Sequence, residues 1–362
     1  MRRFARCVCV LLLAALAVGA VRLAGELPPD RRRYVAQKYA GWSGVLRAWV
    51  CADWKCGGNF IRWLNACAAA FEKRHEGVYV EFTPVIRDAM RALNASGIRP
   101  PELLLFSPGV LSDAGDLATL DTPDVLRPEL RSVGQGRALP VAMGGYIAAR
   151  AATGDANEIR ELPKDADGCC FAGALIGLLS GDPESDADIE ETPESDGGID
   201  LGLPASAGFA DFTSGAAETA IVTQADIARL TRLRDAGRGP DWTLDAAGEY
   251  MWADQLLLAG VVAQTDGDAA ERMALARALV AALLDGESQQ ALSSIGALSV
   301  TNACIYSELS AYAPLETLAR RCKLVAPRAF GDAHGDCQAI VRKFIGGEIS
   351  APEALDQLAA MR

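Results

Sequence analysis

The sequence has little of what many enzymes and nucleic-acid-binding proteins depend on. Only two histidines, His75 and His334, occur in 362 residues, which argues against chemistry that needs several imidazoles. Lysine and arginine number 35 against 47 aspartates and glutamates. The resulting charge of -12 argues against a nucleic-acid partner, because an acidic surface repels phosphates. Aromatic residues are only 6% of the chain, so few flat faces are available for stacking on a ligand.

Familiar catalytic motifs are also missing. The sequence contains no GxSxG, no HExxH, no phosphate-binding P-loop and no GxGxxG after a predicted strand. Pairs of catalytic carboxylates are defined in space rather than by spacing, so 47 acidic residues carry no such signal. We therefore expect a protein that is not an enzyme and holds no cofactor. The hydrophobic fraction of 50% and the length exclude wholesale disorder and suit two compact lobes.

The first 20 residues have the pattern of a secretory signal. Arg2, Arg3 and Arg6 precede an uncharged apolar run, Cys7–Val21, with small residues at its end. Residues 1–20 are a signal peptide or an uncleaved membrane anchor, and residues 21–44 follow as a polar stalk. Either alternative predicts export, with the membrane involved only through this segment.

Ten cysteines suit an exported chain, in which disulfides form. Cys51 and Cys56 make the favoured local bridge, although sequence alone does not determine connectivity. The same pair is half of a zinc site, but no second Cys-x-x-Cys pair or nearby histidine completes it. We therefore predict no metal site.

The pattern after residue 44 predicts a parallel, doubly wound sheet. Three short apolar runs suit buried strands: 45–50, 78–82 and 102–106. Asn59 caps a helix between the first two runs, and a short helix follows the second. Ligands collect at the carboxyl ends of such strands, which here are Cys51–Lys55 and Ser107–Gly109.

The middle of the chain differs in composition. Arg137–Ala151 is expected to be an extended crossing, with Gly144 and Gly145 supplying backbone freedom. Asp182–Asp200 is almost purely acidic and polar, which predicts a mobile loop.

Regular elements return after residue 208. Gly208–Gly237 predicts a helix, a strand at 219–222 and another helix. Leu256–Ala263 is strand-like, Ala269–Leu284 is an amphipathic helix, and Ala297–Val300 is a strand. Ser350 and Glu353 form a capping box at the start of the last helix.

Four segments and the C-terminus together resemble a known family. They are LRAWV with FIRWLNACAAAFEKRHEGVYVEF, PPELLLFSPGVL, DFTSGAAETAIVTQADIARL, AERMALARALVAALLDGESQQALSSIGALSV, and the terminal IGGEISAPEALDQL. In this order and spacing the chain resembles the extracellular solute-binding proteins of carbohydrate-type ABC importers, the maltose-binding-protein-like family. Glu102 stands where that family usually has aspartate, and its Pro–Thr–Trp segment is not recognisable here. The far lobe is therefore expected to be shortened.

The resemblance implies a type II periplasmic-binding-protein fold with two α/β lobes, each built on a doubly wound sheet. The crossings between lobes would fall near 141–146, 260–263 and 300–301. The N-terminal lobe would comprise 45–141 with 264–299, and the C-terminal lobe 142–263 with 300–362. A monomer would capture a small solute, in particular a sugar, between its lobes and deliver it to ABC permease subunits. The alternative is a surface-anchored sensor or interaction protein on the same fold.

Candidate ligand-binding residues combine aromatic faces with hydrogen-bonding side chains near the predicted strand ends and crossings. They are Asp53, Trp54, Ser107, Tyr146, Gln224, Tyr250, Trp252 and Asp254. For each tryptophan and tyrosine a packing role competes with ligand binding, and Trp49 and Trp63 are expected to be core residues. With so few aromatic residues, a small or polar ligand is favoured over a long glycan.

Overall fold

The computed structural model describes residues 41–92, 100–151, 209–215, 219–245, 250–253, 255–331, 339–340, 343 and 348–360. The predicted leader at 1–20, most of the stalk and the acidic segment 182–200 lie outside the described residues. None of the described helices is both long and apolar enough to cross a membrane.

A five-stranded sheet forms the first lobe. Its order is β2-β1-β3-β9-β4. The strands are β1 (Gly44–Cys51), β2 (Val78–Pro84), β3 (Leu103–Phe106), β4 (Leu139–Met143) and β9 (Leu256–Val261). The β1 strand is parallel to both β2 and β3, as predicted. The carboxyl ends of these three strands therefore meet at one edge of the sheet.

The helices of the first lobe pack on this sheet. They are α1 (Phe60–Arg74), α2 (Arg87–Arg91), α5 (Ala269–Leu283) and α6 (Gly286–Ala291), with 3-10 helices at Pro128–Leu130 and Leu292–Ile295. Asn59 caps α1 as predicted, since its side chain accepts a hydrogen bond from the Ile61 N–H at 2.8 Å. Trp63 and Phe71 are fully buried on one face of α1. His75 ends the helix and its ring stacks on Phe71, so it is a capping residue.

The second crossing between the lobes differs from the prediction. The segment expected to lead into a crossing at 260–263 is β9, which lies antiparallel between β3 and β4 in the first sheet. All six residues of Leu256–Val261 are buried, because the strand is central and both of its faces are covered. Such a position requires the continuous apolar run that this segment has. The crossing therefore comes before β9, next to Gln255. The prediction that placed 256–263 in the C-terminal lobe was wrong.

A second, smaller sheet has the order β6-β5-β7. Its strands are β5 (Tyr146–Ala151), β6 (Thr219–Thr223) and β7 (Trp242–Asp245), with helices α3 (Phe209–Ser214) and α4 (Gln224–Asp235) beside them. Both pairings in this sheet are antiparallel. The mixed α/β architecture agrees with the predicted fold class, and the pairings in the described part of the second lobe are antiparallel.

The C-terminal segment contacts both lobes. Leu298 forms a bridge with Met143 rather than a full strand, and Thr301 bridges Leu126. The following elements are α7 (Ala313–Arg321), β10 (Lys323–Val325), which pairs with β8 (Tyr250–Trp252), and α8 (Ala351–Ala360). The predicted capping box of α8 is confirmed, since the carboxylate of Glu353 accepts a hydrogen bond from the Ser350 N–H at 2.8 Å.

Candidate functional site

An open cleft of about 560 Å³ lies at the carboxyl ends of β1 and β2. Two chain segments line it: Val50–Cys56 with Gly58–Ile61, and Pro84–Arg87. The first includes the strand end 51–55 that the sequence predicted as a ligand-binding edge. Both segments leave the sheet at the same edge because β1 and β2 are parallel.

Asp53 is exposed at the mouth of this cleft. Its carboxylate forms an ion pair with Arg87, the first residue of α2. Its backbone N–H donates to Oγ of Ser107 at 2.9 Å, which ties the end of β1 to the end of β3. Ser107 itself is only 4% exposed and does not line the cleft. Its hydroxyl therefore positions the Asp53 loop instead of facing a ligand directly.

Trp54 lines the cleft but lies mostly within the core. The residue is 9% exposed, and its ring meets Phe60 edge-on with the ring centres 4.6 Å apart. The indole N–H donates to the carbonyl of Leu256 at 3.0 Å, so the side chain links the β1 loop to the start of β9. Of the two roles considered for Trp54, packing and ligand binding, the structure shows packing.

Gln224 joins the two lobes at the crossings. It is fully buried at the first position of α4 in the second lobe. Its Nε2 donates to the Lys55 carbonyl at 3.0 Å and to Oε1 of Gln255 at 2.8 Å, and its Oε1 accepts from the Gly145 N–H at 3.0 Å. A Cβ on Gly144 would lie 2.1 Å from Nε2 of Gln224, so this contact needs glycine there. One side chain thus connects the β1 loop with both crossings.

The remaining predicted residues are placed by their backbones. Tyr146 begins β5 and pairs with Thr223, the residue before Gln224. Tyr250 and Trp252 lie in β8, which leads into the second crossing. Asp254 lies outside the described residues.

Sequence reasoning missed the contribution of the β2 end. Arg87, Val85 and Ile86 all line the cleft, and Ile86 is 72% exposed. The rule used for β1 and β3, that ligands gather at carboxyl ends of strands, applies equally to β2. Pro84 is the last residue of β2, and its position in the sequence was the available sign of where that strand ends.

Cys51 and Cys56 are both free thiols, so the predicted bridge between them was wrong. The Cys51 thiol donates to Oδ1 of Asp53 at 3.6 Å, and that of Cys56 to the Gly58 carbonyl at 3.4 Å. Cys51 is held in β1 by its pairing with Phe106, while Cys56 lies in the loop beyond the buried Trp54. Burial, and then the Asp53 carboxylate, raise the pKa of the Cys51 thiol to about 11. In the described part of the chain no three histidine, cysteine or acidic side chains are grouped as metal ligands.

Cysteine labelling tests this correction. We expect iodoacetamide at pH 7.5 to modify the exposed Cys304 within minutes and to leave Cys51 unmodified until the protein is unfolded. The reason is that the reactive thiolate of Cys51 is disfavoured by its raised pKa and the residue is buried. Peptide mapping by mass spectrometry, with and without urea, measures the labelling of Cys304 and of Cys51. Recovery of a Cys51–Cys56 disulfide-linked peptide would contradict the free-thiol assignment.

A second groove of about 690 Å³ lies at the far end of α1. Trp42, Glu271 and the segment 73–76 are among its lining residues. It is formed by the first lobe alone and is distant in the fold from the crossings.

The fold is similar to that of solved binding proteins. The extracellular solute-binding protein from Staphylococcus aureus in complex with maltose matches with a TM-score of 0.58 and 12% identity, over 88% of this chain and 97% of that one. The cyclic alpha-maltosyl-1,6-maltose binding protein from Arthrobacter globiformis matches with a TM-score of 0.56 and 14% identity, over 88% of this chain and 98% of that one. An ABC substrate-binding protein from Listeria monocytogenes in complex with cycloalternan matches with a TM-score of 0.54 and 11% identity, over 88% of this chain and 98% of that one.

These matches show the fold, which is the two-lobe periplasmic-binding-protein fold that the sequence predicted. No protein-family model and no curated protein sequence matches the chain.

Proposed function

We propose that this protein is the extracellular solute-binding component of an ABC importer and captures a small saccharide between its two lobes. The observation that carries the proposal is the position of the cleft. It opens at the carboxyl ends of β1 and β2, beside the point where Gln224 of the second lobe meets Lys55 of the first. All its lining residues belong to the first lobe, and a ligand there would reach the second lobe beside the Gln224 contact and so bias the relative orientation of the lobes.

The polar and apolar parts of the cleft suit a sugar. Asp53 and Arg87 offer charged hydrogen-bonding groups at the mouth, while Phe60, Val85 and Ile86 offer apolar surface. Sugars present both kinds of surface, hydroxyl groups and CH-rich faces. The structures of similar fold were solved with maltose or cycloalternan, or are named for a maltosyl-maltose ligand, which supports the same solute class.

Residues of the second lobe would complete the site. We propose that Tyr146, Tyr250 and Trp252 contribute from the crossings, because β5 and β8 bring their backbones to the hinge. Asp254, which lies outside the described residues, is proposed as a further contact on its sequence position alone. Trp54 would contribute an edge of its ring. The protein would bind its solute without converting it, act as a monomer, and pass the solute to permease subunits at the outer face of the membrane. The basic and apolar leader in residues 1–21 supports export.

A thermal-shift screen of the protein without its predicted leader, residues 21–362, against mono- and oligosaccharides tests the proposal. A solute at about 100 times its dissociation constant should stabilise the protein by about 2.7 kcal/mol, which raises the melting temperature measurably. Small-angle X-ray scattering with the same solute should show a smaller radius of gyration as the lobes close. A panel that includes sugars, amino acids and peptides and yields no shift would contradict solute binding. A shift without compaction would favour the alternative of an interaction protein that has lost transport.

A further inference from the structure

The cleft is basic within an acidic protein. Three charged side chains line it: Asp53, Lys55 and Arg87, which together carry a charge of +1. The whole chain carries -12. Charges farther away than about 8 Å are largely screened at physiological salt, so these lining charges act on a bound solute at the shortest range, while Arg91 acts on the cleft from the next turn of α2.

Asp53 and Arg87 largely neutralise each other. Their side chains are about one-third exposed, at 28% and 33%, and they form a direct ion pair. Within the described residues Lys55 forms no ion pair with a carboxylate, and its residue is exposed at the cleft. Its backbone is fixed, because its carbonyl accepts the hydrogen bond from Gln224. The net positive charge of the cleft therefore resides on Lys55.

Two further features leave the positive potential of the cleft unopposed. The Cys51 thiol, whose pKa is raised to about 11 by burial, is neutral at pH 7. The α1 helix begins at the cleft with Phe60 and has no acidic residue in its first turn, so the positive end of its dipole is not neutralised there.

We propose that the solute is an anionic saccharide of the uronic-acid class, whose carboxylate lies between Lys55 and Arg87. A single carboxylate matches the single net positive charge of the cleft, whereas a sugar phosphate carries about -1.5 to -2. The inference rests on the proposed solute-binding function and names its substrate class. It differs from the neutral maltose found with the Staphylococcus aureus protein of similar fold.

The test uses matched pairs of ligands in calorimetric titrations. The probes are di- and trisaccharides of the gluco, galacto and manno series that each carry a single uronic-acid unit, their carboxyl-reduced neutral counterparts, and the corresponding sugar 6-phosphates. We expect one uronate to bind at least about tenfold more tightly than its neutral counterpart, as charge-assisted hydrogen bonds predict. The preference should weaken as salt rises from about 0.05 to 0.5 M.

Two variants locate the charge. Lys55→Met should abolish the preference for the uronate, so that this variant binds the uronate and its neutral counterpart with affinities within about twofold of each other. Lys73→Met is the matched control, since Lys73 is also exposed but lies at the opposite end of α1. It should retain the preference.

The remaining outcomes would overturn the anionic assignment, the single-charge match or the proposed function. Equal or tighter binding of the neutral sugar, or a preference that survives Lys55→Met, would overturn the anionic assignment and leave solute binding intact. Tighter binding of a sugar phosphate would overturn the single-charge match. If no member of the panel binds, the anionic assignment fails. If amino acids and peptides also give no thermal shift, the proposed function fails with it.

Discussion

Replacing Arg272 with methionine should lower the free energy of unfolding by about 3 kcal/mol, because the change leaves a buried carboxylate without its main counter-charge. Arg272 and Glu102 are each 2% exposed. Nε of Arg272 lies 3.5 Å from Oε1 of Glu102. The other oxygen of Glu102 accepts a hydrogen bond from the Arg47 N–H at 2.8 Å, which fixes the carboxylate at the start of β3. Arg272 also pairs with Asp266 and so connects α5 with the loop before it.

Urea unfolding followed by circular dichroism measures this effect. Arg277→Met is the matched control, because Arg277 lies on the same helix but is exposed, and it should change the free energy by less than about 0.5 kcal/mol. The double variant Glu102→Met/Arg272→Met should recover part of the loss, since no unpaired charge remains buried. If Arg272→Met is no more destabilising than Arg277→Met, the two charges do not stabilise the first lobe.

Replacing Gln224 with leucine should weaken solute binding at least about tenfold and also destabilise the fold by about 3 kcal/mol. Leucine has nearly the same volume but removes three hydrogen bonds. The Gly145 N–H, the Lys55 carbonyl and Oε1 of Gln255 would each lose this partner in a buried environment, at a cost of about 1 kcal/mol or more apiece. Because these groups belong to the β1 loop and to both crossings, the lobes should also lose their defined relative orientation.

Gln289 supplies the control for this variant. It is equally buried, and its Nε2 donates to the carbonyls of Val141 and Leu283, while its Oε1 accepts from Ser299. The same oxygen accepts from the Val300 N–H at 3.1 Å, and none of these partners belongs to the β1 loop that lines the cleft. Gln289→Leu should therefore lose similar stability in urea but keep the wild-type affinity and radius of gyration at temperatures where it is folded. If both variants lose affinity equally, Gln224 acts only through general stability.

Much of the first lobe, and the start of the last helix, could be predicted because their signals are local. The Asn59 cap, the parallel strands that flank α1, and the Ser350–Glu353 capping box each depend on residues close together in the sequence. The position of the cleft at the carboxyl end of β1 followed from strand order alone.

The errors concern contacts between distant segments. Leu256–Val261 is recognisable as a buried strand, but its apolar pattern does not say which sheet it joins. The roles of Ser107 and Gln224 depend on partners 54 and 169 residues away, Asp53 and Lys55. The spacing of Cys51 and Cys56 suggested a bridge, but that spacing carries no information about where the two thiols point. Such pairings are determined by tertiary packing.

Hydrogen–deuterium exchange with the saccharide that gives the largest thermal shift tests the central claim most directly. We predict slower exchange in both lobes at once, in the cleft segments 51–61 and 84–87 and around the start of α4 at 223–226. This pattern is expected because the ligand would lie in the cleft beside the Gln224–Lys55 contact and hold the lobes together. Protection confined to the groove near Trp42 and residues 73–76, or to one lobe alone, would contradict the account.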